Sequence, residues 1–130
     1  MEIKDYALGL QHIGVPTENL EKTVEFYESL GFTIAHATVN EATGQRVRFM
    51  KLQNVVMEVY DIDKAAMCYG ALEHVAIDVT DIDAVYKLVC EKGLNTLEDE
   101  VHFLPYWENG VKFFTIEGPN KEKVEFSQYL

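Results

Sequence analysis

Two similar segments, separated by a constant 62 residues (74 minus 12), restrict the fold of this chain more than any other sequence feature. Residues 12–32 align without a gap on residues 74–94, and His12 falls on His74. Apolar, polar and capping positions follow one another in the same order in both segments. Such a repeat indicates duplication, and neither copy is long enough to bury a core alone. The chain is therefore predicted to fold as two similar modules within a single domain, residues 1–130.

Each copy begins with a predicted strand that leads into a predicted helix. The strands are expected at 8–15 and 71–79, where apolar residues lack helical spacing. Asn19 and Asp81 are typical N-cap residues for the helices that follow. The last turn of each helix is followed by a glycine suited to a left-handed conformation, at Gly31 and Gly93.

Strand-like alternation follows each helix. Further strands are predicted near 32–39, 46–52, 55–60, 95–98, 111–117 and 122–129. Each half is therefore βαβββ, with module one at about 8–60, a linker at about 61–71 and module two at about 72–130. The predicted class is α+β, with the two modules forming a curved, cup-like mixed sheet and the helices outside.

Composition excludes several classes of partner. Twenty-two acidic residues against eleven basic ones give a formal charge of −11, which disfavours nucleic acid and anionic membrane surfaces. No apolar run reaches the roughly 18 residues of a membrane span, and the N-terminus lacks a signal-peptide core. Cys68 and Cys90 form no CxxC motif. These features predict a small cytoplasmic protein with reduced cysteines and a small-molecule substrate.

A carboxylate lies inside the apolar last strand of each module, at Glu58 and Glu125. Because side chains alternate across a strand, both should point away from the core, into the cup. His12 and His74 occupy matching places in the first strands. A single strand histidine or glutamate is usually core or surface, but four in duplicated positions can converge. Imidazole and carboxylate together bind Zn, Ni, Co, Mn or Fe.

These motifs resemble those of the vicinal oxygen chelate superfamily, which includes glyoxalase, bleomycin resistance and extradiol dioxygenase proteins. The resemblance covers nearly the whole chain. It rests on His-Ile-Gly-Val and Leu-Gly-Phe in the first module, His-Val-Ala-Ile in the second, and a closing Phe114, Gly118-Pro119-Asn120 and Lys123-Val124-Glu125-Phe126. Within the superfamily, a ligand set of His, Glu, His and Glu in this order is most similar to glyoxalase I, lactoylglutathione lyase.

The resemblance implies His12, Glu58, His74 and Glu125 as ligands of a divalent metal, Ni or Zn first. It further implies an open coordination sphere completed by water, a homodimer, and isomerisation of the hemithioacetal of a 2-oxoaldehyde through an ene-diolate. Glu125 is the first choice for the base, with Glu58 as the counterpart ligand or second base. The site is expected within one chain or across the dimer.

Two positions depart from the bacterial glyoxalase I pattern. Pro16 replaces an arginine that usually helps to hold glutathione, and Ile62 replaces an asparagine. Glutathione is therefore not assigned as the thiol.

Other side chains carry weaker signals. Arg46 and Arg48 share one strand face and could hold a substrate carboxylate, although surface ion pairing is the simpler interpretation. His36 gives no specific signal. The longest irregular stretch carries three ring residues that could line a pocket or pack over the sheet: His102, Tyr106 and Trp107.

Three alternatives remain open. Residues 40–58 also resemble methylmalonyl-CoA epimerase, although that family usually has Gln at the position of Glu58. An extradiol dioxygenase needs only two His and one carboxylate, so the fourth ligand disfavours it. A non-catalytic small-molecule binder of the same fold would generally lack the ligand set, although a metal kept for structure alone would retain it.

Overall fold

The computed structural model describes all 130 residues and contains two four-stranded mixed sheets and three helices. The helices are α1 (Ile3–Tyr6), α2 (Leu20–Ser29) and α3 (Ile82–Glu91). The first sheet contains β1 (Ile13–Thr17), β2 (Thr33–Val39), β3 (Arg46–Leu52) and β4 (Val55–Asp61). The second contains β5 (His74–Asp78), β6 (His102–Leu104), β7 (Val111–Glu117) and β8 (Lys123–Tyr129). No helix has both the length and the apolar character needed to cross a membrane.

The two sheets have the same topology. Their strand orders are β1-β4-β3-β2 and β5-β8-β7-β6. The first strand of each module pairs in parallel with the last, and the remaining pairs are antiparallel. The predicted α+β class and βαβββ modules are confirmed, and each module forms its own sheet.

The helix boundaries follow the predicted caps. The side chain of Asn19 accepts a hydrogen bond from the backbone N–H of Lys22, and Asp81 accepts one from Ala84. Gly31 and Gly93 adopt positive φ values of 101° and 69°, a region that residues with a Cβ avoid. Local sequence therefore sets both ends of the two long helices.

One apolar cluster of 14 buried residues spans both modules. Polar contacts join the modules beside it: the Tyr27 hydroxyl donates to Glu122 Oε2 at 3.1 Å, and Asn120 Nδ2 donates to Thr23 Oγ1 at 2.9 Å. Burial, followed by the charge of Glu122, raises the pKa of the Tyr27 phenol well above its ordinary value, so it remains a donor. The modules therefore pack through helix α2 and the turn before β8.

Two predicted strand positions are wrong. Residues 95–98 form a turn in which Asn95 Oδ1 accepts from Asp99 N and Glu98 has a φ of 53°; an asparagine side chain that bonds the backbone favours a turn over a strand. The outer strand of module two is β6 instead. Strand β1 begins at Ile13 rather than residue 8, so His12 lies immediately before it.

Replacing Phe114 by Ala should destabilise the protein by about 3–5 kcal/mol, because a fully buried ring that packs against Tyr86 and Phe126 leaves a cavity. Urea unfolding followed by circular dichroism measures the change. Leu72→Ala is the control, since Leu72 is 93% exposed and should change the free energy of unfolding by less than about 0.5 kcal/mol. Equal losses for both variants would contradict the assigned core.

Candidate functional site: two histidine–carboxylate pairs

The first pair joins the start of β1 to the middle of β4. His12 Nε2 lies 3.7 Å from Glu58 Oε1, with the side chains 34% and 28% exposed. Met57 and Val59, on either side of Glu58, are buried, so strand alternation turns the carboxylate to the opposite face. Gly14 is the register partner of Glu58 in the parallel pair of β1 and β4.

The second pair repeats this geometry in module two. His74 Nε2 lies 3.4 Å from Glu125 Oε2, and Glu125 is only 17% exposed. The neighbours Val124 and Phe126 are buried, and the small Ala76 is the register partner of Glu125. The repeat therefore extends from matching sequence positions to matching side-chain contacts.

Each histidine is oriented by the residue that precedes it. His12 Nδ1 lies 2.9 Å from Gln11 Oε1, and His74 Nδ1 lies 3.4 Å from Glu73 Oε1. Because these oxygens accept, Nδ1 carries the proton in the neutral ring and Nε2 is left with a lone pair directed at the carboxylate. Metal-binding histidines are commonly held in this way. Sequence reasoning missed Gln11 and Glu73, although they are offset by the same 62 residues.

Neither glutamate accepts a hydrogen bond from a side chain or backbone group of the chain, and each faces only the Nε2 of its histidine. Burial is the main cause that raises the pKa of Glu125; the nearby His74 lowers it and Glu73 raises it further. A partly buried carboxylate without donors is stabilised by a proton or by a cation. The chemistry of both pairs therefore fits a divalent cation between Nε2 and the carboxylate.

The four side chains do not converge within one chain. No group of three or more His, Cys, Asp or Glu side chains is arranged to hold a metal. The structure brings together His12 with Glu58 and His74 with Glu125, as two separate half-sites with two donors each. Structural metal sites need about four ligands and catalytic ones at least three, so one half-site alone is incomplete.

Comparisons with known proteins identify the family. The model of the Glyoxalase/Bleomycin resistance protein/Dioxygenase superfamily matches residues 9–126. The chain belongs to this superfamily. YwbC of Bacillus subtilis (strain 168) is 25% identical over 126 residues, covering 92% of this chain and 96% of that protein.

Solved structures of other proteins share the fold. The glyoxalase family protein from Enterococcus faecalis has a TM-score of 0.73 at 20% identity, covering 94% of this chain and 98% of that one. The fosfomycin resistance protein FosX from Listeria monocytogenes, solved with Mn(II) and sulfate, has a TM-score of 0.69 at 13% identity, covering 95% and 94%. At these identities the likeness establishes the fold alone.

Aromatic and imidazole rings extend the face around each pair. Phe49 is the register partner of Glu58 on one side and of His36 on the other. Its ring lies 5.6 Å from that of His12 and 6.1 Å from that of His36. His36, which carried no signal in the sequence, therefore lies on the same face as the first pair.

The arginines predicted as weak candidates lie elsewhere. Arg46 pairs with Asp61 at 2.7 Å and with Glu21 at 2.5 Å, which fits surface ion pairing. Arg48 is the register partner of the buried Val59, on the face opposite Glu58. Neither is placed to hold a substrate at a half-site.

The loop aromatics and an apolar cavity between the modules are also separate from the pairs. Trp107 packs edge-on against Tyr129 at 5.4 Å and is 74% exposed, and Tyr106 is 56% exposed. An apolar cavity of about 360 Å³ between the modules is lined by residues that include Ile77 and Phe126. Phe126 lies on the strand face opposite Glu125, so this cavity does not contain the pairs.

In metal-free protein, Glu125→Gln should raise the melting temperature at neutral pH. The pKa of Glu125 is raised in the folded protein above its ordinary value of 4.5. Ionisation of Glu125 therefore begins to destabilise the folded protein as the pH rises past 4.5, and the destabilisation is complete above the folded-state pKa. The increase in melting temperature for Glu125→Gln should therefore disappear below pH 4.5. Thermal melts in chelator across pH 4–8 measure it.

Glu91→Gln is the charge-matched control, because Glu91 is exposed on α3. It should give no pH-dependent gain. A melting temperature for Glu125→Gln that falls equally at all pH values would contradict the argument.

Proposed function

We propose that this protein is a metal-dependent glyoxalase I-like lyase and isomerase. Its substrate would be the hemithioacetal of a 2-oxoaldehyde and a thiol, converted through an ene-diolate. The observation that carries the proposal is the pair of equivalent histidine–carboxylate contacts on accessible sheet faces. The thiol is left open, since Pro16 and Ile62 replace the usual glutathione contacts.

The complete site would form between two copies of the chain in a homodimer. His12 and Glu58 of one copy would meet the equivalent of His74 and Glu125 from the other. Two observations support this: one chain assembles no group of three ligands, and β1 and β5 are edge strands with an unpaired side. Exposed Leu8 and Leu10, at 104% and 77%, precede β1 and would be covered in such a dimer.

Two imidazole nitrogens and two carboxylate oxygens suit Ni or Zn first, with Co, Mn or Fe also compatible. FosX, with the same fold, was solved with Mn(II). A metal held by this set supplies Lewis-acid stabilisation of negative charge on adjacent substrate oxygens.

Glu125 is the residue proposed to move the proton. It would remove the proton from the carbon bearing sulfur and return it to the neighbouring carbon, while the hydroxyl proton passes to the second oxygen. It is less exposed than Glu58, so water competes less for it in the enclosed part of the site. Glu58 would serve as the counterpart ligand or second base.

The proposed setting is cytoplasmic, with a small-molecule substrate. Cys68 and Cys90 are both free and exposed, which suits a reducing compartment. The charge of −11 supports neither a nucleic-acid nor an anionic-membrane partner.

Complementation between two inactive double variants tests assembly across the dimer. His12→Gln/Glu58→Gln and His74→Gln/Glu125→Gln should each lose nickel binding. After co-refolding, half of randomly formed dimers are mixed and each contains one intact site, so about a quarter of wild-type sites should return. Metal analysis and calorimetric nickel titration measure them.

A site within one chain predicts no recovery in the mixture. His36→Gln is the matched control, because His36 lies on the same face without a carboxylate partner and should leave nickel binding unchanged. A wild-type protein that neither binds Ni or Zn nor melts at a higher temperature in their presence would remove the basis of the proposal.

Replacing Glu125 by Gln should lower the rate of thioester formation from methylglyoxal and thiols by about 100-fold or more, while the fold is retained. Gln keeps the shape of the side chain but cannot accept a proton. Stopped assays of thioester formation measure the loss, and circular dichroism checks the fold. A Gln variant with wild-type activity would exclude Glu125 as the base. If the wild-type protein converts methylmalonyl-CoA and not methylglyoxal, the epimerase alternative is favoured.

A further inference from the structure

A second histidine–carboxylate pair in module two is not part of the proposed metal site. His102 Nε2 lies 2.6 Å from Asp99 Oδ1. Since an ionised carboxylate only accepts, Nε2 is the donor and Nδ1 is left with a lone pair in the neutral ring. Nδ1 has no hydrogen-bond partner within the chain, and the His102 side chain is 43% exposed.

Asp99 is held in place by its surroundings. Its second oxygen, Oδ2, accepts from Thr115 N at 2.9 Å. Its backbone carbonyl accepts from Tyr86 and Asn95, and its N–H donates to Asn95. Burial raises the pKa of Asp99, but the hydrogen bonds from His102 and from backbone N–H groups outweigh it and leave the pKa below its ordinary value. The carboxylate is therefore ionised and fixed.

The pair lies on the face of sheet two that carries Glu125. Thr115 is the register partner of Glu125 on β7, and Phe113, two residues earlier on the same strand, shares that face. Phe113 is the register partner of His102, with ring centroids 5.5 Å apart. His102 is thus two strands across and two residues along from Glu125, roughly 12 Å over the sheet, a distance that a substrate of several heavy atoms can span.

Module one also carries a histidine on its outer strand, but in a different row of the sheet. His36 on β2 is the register partner of Phe49, which is itself the partner of Glu58. Phe113, the partner of His102, lies two residues from the partner of Glu125. His36 has no carboxylate partner among its hydrogen bonds or ion pairs, so it serves as a control histidine without an orienting acid.

We propose that Nδ1 of His102, oriented by Asp99, forms the subsite that accepts a hydrogen bond from the thiol-derived part of the substrate. The inference rests on the proposed function and deepens it by naming the thiol class: one that carries a hydroxyl or N–H donor a few atoms from sulfur. His102 is a specificity-determining residue, and Asp99 is the residue that positions it.

Hemithioacetals of methylglyoxal with 2-mercaptoethanol and with ethanethiol test this subsite, because only the first thiol carries a donor. Wild-type protein should prefer 2-mercaptoethanol in kcat/KM by about 5- to 10-fold, mainly through KM. His102→Leu should abolish the preference, while His36→Leu should retain it. Asp99→Asn should also weaken it, because an amide can donate to Nε2 and shift the ring proton to Nδ1.

Nitrogen-15 NMR of labelled histidines gives a readout that does not depend on turnover. Wild-type protein should show His102 protonated at Nε2, and its Nδ1 resonance should move with the thioester S-lactoyl-2-mercaptoethanol but not with S-lactoyl-ethanethiol. If the Nδ1 resonance shifts but no hemithioacetal is converted, the glyoxalase-like reaction is contradicted while the subsite is still supported. Turnover without donor preference, or no Nδ1 shift, would overturn the subsite.

Discussion

Parallel pairing of the first and last strand of each module is the constraint on which the site depends. It places β1 beside β4 and β5 beside β8, and so joins histidines and glutamates that are 46 and 51 residues apart in the chain (58 minus 12, 125 minus 74). The helix between first and second strands makes the parallel crossover possible. Once the register is set, alternation directs each glutamate away from the core.

Glu58 and Glu125 differ from other partly buried carboxylates of the chain in the hydrogen bonds that they lack. Asp61 accepts from Arg46, Glu122 accepts from Tyr27 and Asn120, and Asp99 accepts from His102 and a backbone N–H. Glu58 and Glu125 have only a histidine nitrogen beyond 3.3 Å. A partly buried carboxylate without donors costs stability, and the proposed cation would offset that cost.

Duplication produces similar half-sites, but the modules have diverged around them. Glu125 is more enclosed than Glu58 and carries the raised pKa. The outer histidine of module two is paired with Asp99, whereas His36 is unpaired. Two modules with the same strand order can therefore differ in the exposure and pairing of equivalent side chains, because these properties depend on neighbouring residues rather than on strand order.

The sequence by itself determined the modules and the faces of their residues. The 62-residue repeat, the Asn19 and Asp81 caps and the period-two alternation around Glu58 and Glu125 are local signals, and local backbone preferences were enough to interpret them. Only the tertiary structure decided the remainder: the turn at 95–98, the orienting contacts of Gln11 and Glu73, the Asp99–His102 pair, and the separation of the four ligand candidates into two half-sites. These depend on strand register and on how the modules pack, which are set by contacts between residues far apart in the chain.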